Sequence, residues 1–313
     1  MIRDDFLWAE KYRPKTIADT ILPNDLKKTF QKFVDQNNIP NLLLSGRAGV
    51  GKTTVAKALC NELNADYIVI NGSMKGNIDT LRTEIQKFAS SVSFTGGRKY
   101  VILDEADYLN PQSTQPALRN FMEEYSNNCG FILTCNFKNR IIEPLHSRCT
   151  VIDFKIRGNE KAKLAEKFFK RILAILEKEN VEFDKAAVAE FINKHFPDWR
   201  RTLNELQFFA SNGRIDKSML VNLSDESLKK LIELLKNKDY SGIRKWVGEN
   251  NDLDSTEFFS KFYDLIWSTA KNSSIPGIVV TIGRYQYMQA FVNDPEINIM
   301  ACLTEIMIET EWK

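Results

Sequence analysis

The sequence predicts an α/β fold in the first half of the chain, then a small helical domain, then an all-helical C-terminal domain. Three observations predict it. Short runs rich in Ile, Val and Leu alternate with amphipathic helical patterns up to about residue 156, strand signals stop near Arg157, and helical periodicity alone follows. Strands of that composition, separated by helices, belong in a parallel sheet covered on both faces. Such a sheet takes a phosphate-type ligand at the carboxyl ends of its strands.

Five runs make the strands: 41–45, 66–70, 99–103, 130–134 and 150–154. Helical patterns lie between them at 53–63, 77–92 and 111–125. In the 77–92 pattern Ile78, Leu81, Ile85, Phe88 and Val92 share the face expected to meet the sheet. Arg82, Gln86 and Ser90 form a second row on that pattern, flanked by Thr83 and Lys87. Beyond Arg157 three helices are expected at 159–179, 184–195 and 198–211, the last with Asp198 as its N-cap. Ser211-Asn212-Gly213-Arg214 reads as a break. The next helical block opens at Ser224, a good N-cap with Asp225 and Glu226 in its first turn. Leu228, Leu231, Ile232 and Leu235 recur at helical spacing after it. Phe258, Phe259, Phe262, Tyr263, Ile266 and Trp267 then form a broad stripe that suits a core or a subunit interface. The domains are therefore expected at 1–156, 157–213 and 214–313.

With 313 residues, 43% hydrophobic and 27% charged, the chain has the composition of an ordinary globular protein. No apolar run approaches the roughly 18 uncharged residues of a membrane span. Met1-Ile2-Arg3-Asp4-Asp5 lacks the basic-then-apolar plan of a secretory signal, so the expected compartment is the cytoplasm. The cysteines (Cys60, Cys129, Cys135, Cys149, Cys302) are odd in number and scattered, which suits reduced core thiols. Without a Cys-x-x-Cys pair, and with His146 and His195 as the only histidines, a zinc site is not expected. A net charge of +2 announces no nucleic-acid binder, so any basic surface must be local.

Two motifs carry chemistry. Gly46-Arg47-Ala48-Gly49-Val50-Gly51-Lys52-Thr53 matches G-x-x-x-x-G-K-[ST], follows the apolar Leu42-Leu43-Leu44 and opens a helix at Lys52. Glycines let backbone N–H groups turn inward around phosphate oxygens, and the helix N-terminus adds positive charge. Lys52 is then placed to neutralise the β- and γ-phosphates of ATP, and the Thr53 hydroxyl to ligate Mg2+. The second motif, Val101-Ile102-Leu103-Asp104-Glu105, ends an apolar strand in two acids. Asp104 suits the magnesium and Glu105 suits polarising an attacking water. Asp104-Glu105-Ala106-Asp107 also spells the name of a helicase group, but those helicases need two tandem α/β domains and this chain has room for one.

Further segments resemble one family, the clamp-loader ATPases of the AAA+ class: replication factor C small subunits and the large subunit of T4-type phage loaders. Trp8-Ala9-Glu10-Lys11-Tyr12-Arg13-Pro14 is similar to that family's N-terminal box, which lies over the adenine. Thr134-Cys135-Asn136 resembles its sensor 1 segment, Phe196-Pro197-Asp198-Trp199-Arg200-Arg201-Thr202-Leu203 its sensor 2, and Pro144-Leu145-His146-Ser147-Arg148-Cys149 holds its Ser-Arg-Cys signature. The resemblance runs from about residue 7 to 210, and the short ending Glu311-Trp312-Lys313 looks like the T4-type phage subunit. It implies an AAA+ P-loop domain with a five-stranded parallel sheet, a helical lid and an oligomerising helical collar.

It also implies an ATPase stimulated by DNA and clamp. ATP binding would assemble a spiral that opens a sliding clamp and grips primer–template DNA, and hydrolysis would release both. The implied partners are identical subunits (four), one distinct subunit, the clamp and DNA, with no membrane. The implied nucleotide contacts are Glu10, Lys11, Tyr12, Arg13, Pro14, Ile21, Gly49, Val50, Gly51, Lys52, Thr53, Thr54 and Arg200. Asn136 would position the water and Arg200 touch the γ-phosphate. Arg148 would act on the neighbouring subunit's ATP; a planar guanidinium suits that task, and a local salt bridge is the alternative. DNA phosphates would meet Arg82, Gln86 and Lys87, although a solvated helix face fits those residues equally well. Asn71-Gly72-Ser73-Met74-Lys75-Gly76-Asn77 departs from the replication factor C pattern, because the arginine that relays DNA binding there aligns with Gly76; Lys75 is the candidate substitute. The clamp would meet the sheet-end loops and helix near 91–98 or 115–125.

Two other readings compete. A remodelling or branch-migration motor needs an aromatic–hydrophobic–Gly pore loop, and no aromatic residue lies between Ile70 and Ile78. A structural subunit that binds ATP without hydrolysing it needs no intact machinery, yet Lys52, Thr53, Asp104, Glu105, Asn136, Arg148 and Arg200 are all present.

Overall fold

The apolar runs become β1 (Leu42–Ser45), β2 (Tyr67–Asn71), β3 (Lys99–Asp104), β4 (Cys129–Cys135) and β5 (Thr150–Asp153). They pair in parallel in the order β2-β3-β4-β1-β5. The computed structural model describes residues 6–73, 78–93, 96–211, 213–215, 225–250 and 255–313. It divides into two compact units, Met1–Asp216 and Lys217–Lys313.

In the first unit α1 (Trp8–Lys11) and α2 (Asn24–Asp35) precede the sheet, and α3 (Lys52–Glu62), α4 (Ile78–Ser90), α5 (Thr114–Glu124) and the one-turn α6 (Glu143–His146) connect its strands. Alternate strand residues serve opposite faces. Leu43, Val101, Leu103, Phe131 and Leu133 pack with Leu81 and Ile85 of α4 and Leu118 and Phe121 of α5. Leu42, Leu44, Tyr100, Ile102 and Ile132 pack with Phe30 of α2 and Val55 and Leu59 of α3. Covering both faces explains why the strands read as unbroken apolar runs, and each such side chain contributes roughly 1.5–3 kcal/mol by leaving water. Register sets the site: Ser45 lies beside Cys135 and Leu103 beside Leu133, so β1, β3 and β4 end together.

One expectation about α4 is corrected. Val92 does not join Leu81 and Ile85 against the sheet; it is 88% exposed, beyond the helix end at Ser90. The cause is Lys99, a buried lysine whose ammonium binds the carbonyls of Phe88 and Ser91 and the Ser91 hydroxyl, capping the helix there. The chain then turns so that the Ser93 hydroxyl donates to Asp66 at 2.8 Å.

The lid region holds α7 (Gly158–Lys178), α8 (Lys185–His195) and α9 (Trp199–Ala210). α7 buries Leu164, Phe168, Ile172, Ile175 and Leu176, one apolar stripe. Asp184 caps α8 by accepting from the Ala186 amide, and Asp198 caps α9 by accepting from the Arg201 amide, both at 2.9 Å. Strand structure does not end at Arg157 as expected: β6 (Glu182–Phe183) pairs in parallel with β7 (Arg214–Ile215). Two-residue strands are too short to show a period, and through them the first unit runs past the break at 211–214.

The second unit is α10 (Asp225–Lys236), α11 (Tyr240–Glu249), α12 (Ser255–Thr269), α13 (Ile275–Met288) and α14 (Pro295–Glu309). Leu228, Leu231, Ile232 and Leu235 share one core with Phe258, Phe259, Phe262 and Ile266. Trp267, grouped with that stripe by sequence, is 53% exposed instead. Ser224, the expected N-cap of α10, lies outside the described residues. All five cysteines are free, and burial pushes the Cys60 thiol up to about 12. Among the described residues no helix is long and apolar enough to cross a membrane.

Candidate active site

β1, β3 and β4 deliver their ends to one cleft of about 1070 Å3, its open mouth included. At one end of it the loop between β1 and α3 turns through Gly49 and Gly51, whose φ of 75° and 95° lies in the left-handed region that glycine adopts freely. Gly49 meets a second constraint. A Cβ there would sit 1.8 Å from the Asp198 carboxylate that caps α9, and the Trp199 amide donates to the Gly49 carbonyl at 3.3 Å. The glycine loop and the start of α9 are thus in direct contact.

Lys52, the first residue of α3, is buried and spends three donors on the carbonyls of Gly46 (2.7 Å) and Arg47 (2.8 Å) and on Asn136 Oδ1 (2.9 Å). Burial pulls its ammonium below the ordinary lysine value. Next to it the hydroxyls of Thr53 (2.5 Å) and Thr134 (2.6 Å) both donate to Asp104 Oδ1. Thr134 also accepts the Glu105 amide at 3.1 Å. Glu105 itself has φ 55°, a left-handed conformation sparsely used outside glycine, and it lines the cleft. Gly72 closes on this strand end: its amide donates to the Asp104 carbonyl at 2.8 Å, and a Cβ at Gly72 would lie 2.6 Å from the Glu105 carbonyl.

Asp107 fixes Asn136. The buried carboxylate accepts the amides of Asn136 and Phe137, each at 3.1 Å, and so aims Asn136 at Lys52 and the cleft. Neither Asp107 nor Thr134 stood out in the sequence as a site residue. The only trace of Asp107 was its place two residues after Glu105.

The other end of the cleft is apolar. Ala9, Tyr12, Pro14, Ile21, Leu22, Phe168 and Leu203 line it, together with Arg13 and Arg171. Arg13 donates to the Thr54 hydroxyl at 3.1 Å and to Glu10 at 2.9 Å, and that pairing holds the Glu10 carboxyl below the usual range. Glu10 and Lys11 do not line the cleft. Lys11 turns away to Glu179 at 2.6 Å, where the Tyr12 hydroxyl also donates. Trp199 and Leu203, from the segment that resembles sensor 2, supply further wall, as do Phe168 and Arg171 of α7, which no motif marked because helical amphipathicity does not distinguish a cleft from a core.

Of the predicted residues, Tyr12, Arg13, Pro14, Ile21, Gly49, Val50, Gly51, Lys52, Thr53, Thr54, Asp104, Glu105, Asn136 and Arg200 line this one cleft. Arg200 enters from the first turn of α9, and no hydrogen bond or ion pair engages its guanidinium among the described residues. Arg148 stands elsewhere. It follows α6 and pairs with Glu123 of α5 through Nε at 2.9 Å, while Nη1 donates to the Pro144 carbonyl at 2.9 Å. Arg82, Gln86 and Lys87 are exposed on α4, and Lys75 lies outside the described residues. The Thr53 hydroxyl and the Asp104 carboxylate, meeting beside Lys52, form a donor set that suits Mg2+ provided the nucleotide and water complete the shell. No group of three or more His, Cys, Asp or Glu able to hold a metal occurs among the described residues.

Comparison with known proteins places these motifs. Residues 42–156 match the family described as ATPase family associated with various cellular activities (AAA). Residues 160–221 match the sliding-clamp-loader large subunit, AAA+ ATPase lid domain. The chain is 36% identical to the sliding-clamp-loader large subunit of Escherichia phage RB69, over 99% of this chain and 98% of that protein. It is 35% identical to the same subunit of Enterobacteria phage T4 over equal shares. A replication factor C small subunit of Archaeoglobus fulgidus is 39% identical over 67% of this chain and 65% of its own length. A solved Thermotoga maritima RuvB Holliday junction branch migration motor matches with a TM-score of 0.51 at 18% identity, over 72% of this chain and 80% of that one, a likeness of fold alone.

Proposed function

The chain belongs to the clamp-loader family of AAA+ ATPases, and from that premise we propose that it opens a sliding clamp and places it on primer–template DNA within a ring of subunits. It is an ATPase and a clamp-loader subunit. The observation that carries the finer reading is the split between one cleft holding Lys52, Thr53, Asp104, Glu105, Asn136 and Arg200 and an Arg148 that stands outside it.

In this reading ATP lies with its phosphates over the loop Gly46–Gly51 and its adenine against Tyr12, Pro14 and Ile21. Lys52 exchanges its carbonyl partners for phosphate oxygens, and Arg200 meets the γ-phosphate. Glu105 draws the proton from the attacking water while Asn136, aimed by Asp107, holds that water in line. Thr53 and Asp104 would hold Mg2+, which would supply neutralisation of the phosphate charge. Each cleft then lacks one group, and Arg148 of a neighbouring copy supplies it, so hydrolysis waits on assembly.

The divisions 1–156, 157–213 and 214–313 serve as motor, lid and collar. Exposed apolar side chains of the collar, Val280 and Tyr287 of α13 and Ile297 and Ile308 of α14, support its role as the joint between subunits. We place four copies with one distinct subunit in a pentamer, DNA phosphates against Arg82, Gln86 and Lys87 with Lys75 nearby in sequence, and the whole cycle in the cytoplasm of a phage host. The test is steady-state ATPase of the assembled complex with and without clamp and primer–template DNA. Strong stimulation requiring both, lost by roughly 10³-fold or more in Arg148→Ala, is the expected result. Turnover indifferent to both ligands would remove the loader reading and leave an ATPase of another kind.

A further inference from the structure

α9 touches the cleft at more than its first turn. Arg200, Leu203 and Gln207 follow one another at i, i+3 and i+7, a single stripe of the helix; the first two line the cleft. Gln207 instead reaches the segment that enters α1. Its carboxamide oxygen accepts the Trp8 amide at 2.8 Å, and its carboxamide nitrogen donates to the Phe6 carbonyl at 2.6 Å. The pair clasps the backbone on both sides of Leu7, as a neighbouring strand would.

That clasp has work to do. α1 is a single turn, and no side chain of its own caps the orphan amides at its start. A four-residue helix has little stability of its own. The buried side chain of Trp8, its first residue, and the Gln207 carboxamide together fix where α1 sits. α1 in turn carries Ala9 and leads into Tyr12, Arg13 and Pro14, all on the apolar wall of the cleft.

We propose that Gln207 is a positioning residue for the nucleotide: through Trp8 it sets the wall that receives the nucleoside, while Arg200 on the same helix meets the terminal phosphate. The inference rests on the cleft being the ATP site. One helix then reads the ligand at two places, and the two readings separate by ligand. ADP keeps the nucleoside and lacks the γ-phosphate, so Gln207 matters equally to ADP and ATP, and Arg200 matters to ATP.

Isothermal titration of the full chain with ADP and with a non-hydrolysable ATP analogue tests this. Gln207→Leu is expected to weaken both by the same factor, roughly five- to tenfold for two lost hydrogen bonds. Arg200→Ala is expected to weaken the ATP analogue several times more than ADP. Phe208→Ser, one position on and 66% exposed, is the control expected to change neither. Wild-type affinities in Gln207→Leu, or a loss confined to the ATP analogue, would overturn the proposal. Lys52→Ala binding both ligands like wild type would instead remove the ATP-site reading, and the Gln207 role with it. Should Gln207→Leu not fold, amide exchange over residues 6–12 of the wild-type chain decides: saturating ADP slows it, and an unchanged rate refutes the clasp.

Discussion

The two ends of the cleft are built on different principles. At the phosphate end the polar groups come from the ends of adjoining strands and are cross-linked to one another: Lys52 to Asn136, Thr53 and Thr134 to Asp104, Asn136 to Asp107. At the nucleoside end the wall is apolar and gathered from α1, the loop before α2 and two lid helices, with its polar groups facing outward as tethers such as Tyr12 to Glu179. Charge that develops during phosphoryl transfer needs donors already aimed, and a web of hydrogen bonds supplies that without reorganisation. A base and ribose need only shape and dryness, which any well-packed set of side chains can provide. Glu105 and Asn136 at the first end should therefore govern turnover, while the second end serves affinity alone.

Glu105→Gln would break that division most directly. The amide cannot take a proton, so kcat is expected to fall by roughly 10²- to 10⁴-fold with nucleotide affinity within about twofold of wild type. Single-turnover hydrolysis paired with titration measures both, and affinity falling in step with kcat would contradict the separation. Asp107→Ala acts one layer back. It takes the acceptor from the Asn136 and Phe137 amides, so kcat should drop by roughly 10- to 30-fold through sensor misplacement while KM for ATP holds. A change in KM alone would show that Asp107 serves binding.

The smallest effect sharpens the other side. Lys11 first, then the Tyr12 hydroxyl, hold the Glu179 carboxyl below its ordinary value. A carboxyl depressed in the folded state adds stability above its unfolded pKa and loses it as pH falls through the folded one. Glu179→Gln should thus lower thermal stability by under about 1 kcal/mol at neutral pH, and the difference should begin to shrink as melts pass below the unfolded value near about pH 4 and disappear below the depressed folded one. A gap that persists in acid would show the tether to be packing and not charge.

The same contrast decided what could be read in advance. Gly46–Thr53 and Asp104-Glu105 stand in short contiguous segments because each follows directly from a strand end, and the structure gathers them as their spacing implies. Asn136, Arg148 and Arg200 were found through family resemblance, and the lone chain shows two of them in the cleft. Phe168, Arg171 and Gln207 left no trace because a helix face reads alike whether it meets a core, a ligand or another helix. Val92 misled for a related reason: periodicity continues past Ser90, while the buried Lys99 that ends the helix sits eight or more residues downstream of its partners' turn. The β6–β7 pair, two residues on each side, falls below any periodic signal.

The meeting of Gly49 with the capped start of α9 has a mechanical consequence. The space a methyl group would need at Gly49 is filled by the Asp198 carboxylate that caps α9, so the loop and the helix start meet closely. α9 is 12 residues long, or about 18 Å. Pivoted at its first residue, a tilt of about 3° sweeps its far end through about 1 Å, more than a hydrogen bond tolerates without weakening. Were the loop to settle on a bound phosphate, a small tilt of α9 would be enlarged along its length into motion of its far end.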